Sequence, residues 1–163
     1  MNWEATAAVA ELLAAVGVIV SLVYLAMQIR QNTRTERARA FQEIFSGSAS
    51  FADQIFSPQN IDLIISGMRD FKELSGGDKL RFDNMMLGYF NAVEATIFSR
   101  NAFLLGDETL ENCAHLLQTR MLPYAGVRDW WDEAKAIFAP ETRAWIDQQI
   151  SETDPNSDFL GIR

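Results

Sequence analysis

A chain of 163 residues that is 48% hydrophobic has room for a membrane span and one compact domain, but not for a second domain. Its formal net charge of -8 is unevenly spread: residues 1–40 hold four Arg against Glu4, Glu11 and Glu36, so the rest carries the whole acidic excess. That balance excludes the basic surface that nucleic-acid binding needs, and the single Cys113 excludes an intrachain disulfide, in keeping with a cytoplasmic domain.

Residues 5–29 form an apolar run of transmembrane length whose single charge is Glu11. At about 1.5 Å of rise per residue, a helix of that length crosses a hydrocarbon core of about 30 Å with some tilt. A cleaved signal peptide would carry positive charge before the run, whereas here Glu4 precedes it and Arg30, Arg34, Arg37 and Arg39 follow it. Basic residues beside a span stay cytoplasmic, which predicts a single-pass protein of the bacterial inner membrane, with its N-terminus outside and its C-terminal domain inside. Trp3 then stands at the outer interface, and Arg30, Arg34 and Arg37 meet anionic lipid headgroups.

Alternating steps of three and four from Ala7 pass through Ala10, Ala14, Gly17, Ser21, Tyr24, Gln28 and Gln31, a seam of small and then polar residues. Helices associate in lipid through close backbone approach and interhelical hydrogen bonds, so this seam is the expected homo-oligomer interface, or the contact with another membrane protein. Leu12, Val16, Ile19 and Val23 face lipid on the opposite side. Glu11 lies beside the seam, and three readings stand open for it: snorkelling or protonation at the outer interface, a hydrogen bond to a neighbouring helix, or the lining of a cation path near the mouth of an oligomeric channel.

The helix is expected to continue as a juxtamembrane stalk over residues 32–46, with Ser46-Gly47-Ser48 as its first weak point. A helical domain over 47–150 follows, and then a polar, mobile tail over 151–163, in which Phe159, Leu160 and Ile162 are able to dock on a groove. Within the domain, Phe51, Ile55 and Phe56 suggest a short helix. Ser57-Pro58 reads as the cap and first position of the next one, with Ile61, Ile64, Ile65 and Met68 on its apolar face. After a turn at Gly76-Gly77, Asp78 caps a long helix with Phe82, Met86, Phe90, Val93 and Ile97 at core spacing. Asn91 and Glu94 form an internal polar pair beside that face, with Arg100, His115 and Arg120 as candidate partners.

Asp107 caps a helix carrying Leu110, Cys113, Ala114, Leu117 and Met121, which Pro123 halts. Val127, Trp130, Trp131, Ala134 and Phe138 repeat the helical spacing, and Pro140 opens a last helix through Trp145 and Ile150. No segment alternates like a strand, so the expected fold is all-α: one transmembrane helix, a stalk and a small helical bundle.

Catalytic and metal-binding patterns are missing. His115 is the sole histidine; Glu111 shares its helix face, but two ligands make no convincing metal site. Cys113 and His115 point apart on one helix, and there is no GxSxG, HExxH or Cys-x-x-Cys. The expectation is a non-enzymatic protein with no cofactor.

Trp3-Glu4, Ala10-Glu11, Ser21-Leu22-Val23-Tyr24-Leu25-Ala26 and Gln28-Ile29-Arg30-Gln31-Asn32-Thr33, with the later Trp130-Trp131 and Phe138-Ala139-Pro140-Glu141-Thr142-Arg143-Ala144, give the chain its likeness. It resembles a functionally uncharacterised family of small bacterial proteins with one N-terminal span. The resemblance implies the architecture and no particular reaction.

Overall fold

The computed structural model describes residues 3–55 and 57–162, and among them every regular element is helical. Helix α1 spans Trp3–Ile55, α2 Ile61–Arg69, α3 Gly76–Asn101, α4 Asp107–Leu116, α5 Ala125–Ala134 and α6 Pro140–Glu152. By their contacts the residues divide into two units, Met1–Arg39 and Ala40–Arg163.

In the first unit α1 is a bare helix: from residue 7 to residue 39 each side chain is exposed. It is long and apolar enough to cross a membrane, by length and composition. The helix does not break at Gly47 but runs on to Ile55, so Phe51 and Ile55 extend α1 and form no separate helix. Phe56, placed with them from the sequence, lies outside the described residues.

The second unit packs α2–α6 around an aromatic centre. Phe82, Met86, Phe90, Val93 and Ile97 are all buried along α3, as their spacing requires. The Phe90 ring lies 5.1 Å from those of both Trp130 and Trp131, and Phe138 stands 5.2 Å from Trp131. Both indole N–H groups are satisfied: Trp130 donates to Asp83 and Trp131 to Asp147, each at 2.8 Å. Buried indoles need such partners, since an orphaned N–H costs about 1–3 kcal/mol.

Several boundaries move from their expected places. Residues 57–60 form a turn, closed by the Asn60 N–H on the Ser57 carbonyl, and α2 starts only at Ile61. Its buried face is Leu63, Ile64, Gly67 and Met68, while Ile61 is exposed. Asp78 and Asp107 are first-turn residues and not caps, since their helices start at Gly76 and Asp107 itself. Acidic groups there still favour the positive end of the helix dipole. Gly76 opens α3 with φ +57°, a conformation that glycine adopts without strain.

After α4 the chain widens into a π-helical turn, Leu117–Met121, in which the Leu122 N–H reaches the Leu117 carbonyl at 2.9 Å. Closing the turn over five residues brings Leu117 and Leu122 to one side, and both are fully buried.

The polar tail is held, contrary to the mobile segment its composition suggests. Tyr124 Oη donates to Asp158 at 3.1 Å and accepts the Leu160 N–H at 3.0 Å, and Asp158 also accepts the Ile162 N–H. Arg69 donates to the Ile162 carbonyl, while the Arg120 guanidinium lies 3.8 Å from the centre of the Phe159 ring.

Candidate functional site

The seam residues Ala7, Ala10, Ala14, Gly17, Ser21, Tyr24, Gln28 and Gln31 share one side of α1, and all are exposed. Two internal bonds run along that line: Ser21 Oγ donates to the Gly17 carbonyl at 2.9 Å, and Gln28 Nε2 donates to Tyr24 Oη at 3.2 Å. Ser21 and Gln28 thus each have one partner within the helix, and the Ser21 hydroxyl keeps its acceptor side. No atom lies within 4 Å of where a Gly17 Cβ would stand, so another backbone can come close there.

Glu11 is exposed on α1. Arg30, Arg34 and Arg37 are exposed after the apolar run, and Arg39 makes a 3.5 Å ion pair with Glu36. A pair so open to solvent contributes at most about 1 kcal/mol.

The Asn91–Glu94 pair does not form inside the bundle. Asn91 is exposed, whereas Glu94 is half-buried and turned towards α6, away from Arg100, His115 and Arg120. Glu94 Oε1 accepts the Ala139 N–H and the Thr142 hydroxyl, both at 2.9 Å. Ala139 is the N-cap of α6 and has no side chain able to cap it, so a carboxylate from α3 takes that role and also meets the positive end of the helix dipole. Arg100 instead pairs with Asp107 at 2.8 Å. Glu94 is thus a structural cap, which its position on α3 could not reveal without knowing where α6 packs.

Glu94→Ala is expected to destabilise the full chain by about 2 kcal/mol, because the fully buried Thr142 loses its acceptor, whereas Glu94→Gln retains an acceptor oxygen and costs less. Thermal unfolding of both variants in mild detergent measures the difference; equal losses would contradict the capping role.

The sequence did not disclose a cleft of about 320 Å³ in the second unit, between α3, α4 and the end of α1. Its walls include Phe41, Ile44, Val93, Cys113 and Leu116, with Thr109 and Asn112 at α4. Burial pushes the Cys113 thiol up to about 11, and burial first, then the neighbouring Cys113, raises the Tyr89 hydroxyl well above its ordinary range. Both groups are neutral near pH 7, so Cys113 packs there as a small apolar side chain whose thiolate is a minor species. Among the described residues, no three His, Cys, Asp or Glu side chains gather as a metal site.

No protein-family model, curated protein or solved structure matches the chain.

Proposed function

We propose that this chain is a non-enzymatic single-span protein of a bacterial inner membrane, which self-associates through the seam on α1 and presents its acidic helical bundle to protein partners in the cytoplasm. The observation that carries the reading is the complete exposure of the apolar helix. Between Val9 and Ile29, twelve large aliphatic and Met side chains are each at least 50% exposed. In water this would forgo on the order of 10 kcal/mol or more of burial, and soluble monomers seldom show so large a patch. A hydrocarbon core removes the cost. The arginines after the run support the inward orientation, and the Gln28-Ile29-Arg30-Gln31-Asn32-Thr33 string supports kinship with single-span bacterial proteins.

Lipid solvates the apolar face but gives the small-residue face no comparable advantage, because close helix contact there gains dispersion that lipid tails pack less well. Crosslinking in native membranes tests the association. Wild type should give a defined oligomer, and Gly17→Leu or Ser21→Leu should weaken it roughly tenfold, about 1.4 kcal/mol. A monomeric pattern in the wild type, or the same oligomer in all three, would overturn the reading.

A further inference from the structure

The cleft between α3, α4 and the end of α1 has features of a ligand site that self-association leaves unused. Its described lining residues are all uncharged, and the walls they form are mainly apolar. The rim is greasy as well: Phe41 is 56% and Leu116 52% exposed, while Val93, on the floor, is buried. The Thr96 hydroxyl donates to the Ala92 carbonyl at 2.8 Å and keeps only its acceptor side for a guest.

We propose that this cleft binds an aliphatic chain with an uncharged polar end, the end resting against Thr109 and Asn112 on α4. Among the described lining residues no cationic group is present to offset the desolvation of a free carboxylate or phosphate, which decides against both. The described lining holds no anionic group either, which decides equally against an amine. An alcohol or ester oxygen, by contrast, needs only the hydroxyl and amide groups that are present. Two sources share this chemistry, a membrane lipid tail and a free neutral amphiphile. Phe41 and Ile44 follow closely behind Arg39 in the chain, and a lipid source rests on the membrane reading, although the selectivity of the cleft does not.

Cys113 lines the cleft and is the sole cysteine, so its alkylation reports occupancy at one atom. The full chain, held lipid-free in an amphipathic polymer at pH 8, is treated with N-ethylmaleimide alone and with 1-dodecanol, dodecanoate or phosphatidylcholine vesicles. Dodecanol should slow alkylation at least fivefold, and dodecanoate at the same concentration much less. Protection by vesicles as well assigns the chain to membrane lipid; protection by dodecanol only assigns it to a free amphiphile. Ala92→Phe, which fills the cleft, and Leu116→Asp, which charges its exposed rim, should each abolish dodecanol protection with helical content unchanged. No slowing by dodecanol in the wild type would overturn the proposal, as would equal slowing by dodecanoate or undiminished protection in the folded Leu116→Asp chain. A monomeric crosslinking pattern in the wild type would leave this result untouched, so the two readings fail separately.

Discussion

Trp131→Ala is expected to destabilise the bundle by about 3–5 kcal/mol, a large part of the 5–15 kcal/mol that holds a typical domain together. The indole is fully buried and lies stacked on Phe90, with an interplanar angle of 23° at 5.1 Å, and Phe138 closes over it at 5.2 Å. Removing it opens a cavity between α3, α5 and the start of α6 that these rings cannot fill without leaving their own contacts, for Phe90 also packs on Trp130 at 5.1 Å. The loss therefore has two parts, transfer of the indole and the unfilled cavity. The hydrogen bond adds little, because Asp147 is exposed and finds water when its donor is gone. Trp131→Phe should accordingly recover most of the loss despite having no N–H. Chemical unfolding of the full chain in detergent, followed by far-UV circular dichroism, gives both numbers. A Trp131→Ala loss under about 1 kcal/mol, or no recovery in Trp131→Phe, would show that the aromatic centre is not what holds the bundle.

This centre was legible in the sequence because each of its elements is long or strongly periodic. Phe82, Met86, Phe90, Val93 and Ile97 repeat at helical spacing along one face of α3, and nothing local competes with that pattern. Short elements were less legible. In α2, nine residues hold too few turns to fix the phase, and the buried face rotates so that Leu63 and Gly67 enter it while Ile61 leaves. A glycine counts as nothing in an apolar pattern, although at Gly67 it is the contact itself.

Side-chain roles that span two elements were hidden for a related reason. Glu94 reads as half of a local pair with Asn91, yet its partners lie 45 and 48 residues away at the start of α6. The tail looked free because its composition is polar, while what fixes it is hydrogen bonding of Tyr124 and Arg69 to atoms that no pattern of apolar residues registers. The seam residues share one side of α1 because the faces of a single helix are read from its own period. Its geometry then follows from one element.

The Gly67 contact yields the second large effect. Gly126→Ala is expected to destabilise the bundle by about 3 kcal/mol or more, the upper end of what overpacking costs. A Cβ at Gly126 would overlap the Gly67 carbonyl oxygen and stand 2.9 Å from both the Met68 carbonyl oxygen and the Phe71 nitrogen. All three are backbone atoms at the end of α2, so α2 and α5 would have to separate, and no rotamer change relieves the clash. At Gly67 a Cβ would instead meet the ring of Phe82, which is buried and packed against Phe71 at 5.8 Å, so the clash there is with a side chain and not with backbone. Gly67→Ala should therefore cost less than Gly126→Ala. Chemical unfolding of the two variants gives the order, and a reversed or equal order would mean that the helix pair yields more easily than the ring. The same experiment bears on the division of the chain, since the seam lies within Met1–Arg39 and this crossing within Ala40–Arg163. Gly126→Ala should lower the unfolding transition while leaving the seam-dependent crosslink at its wild-type level, as expected where the contacts that hold each unit are its own.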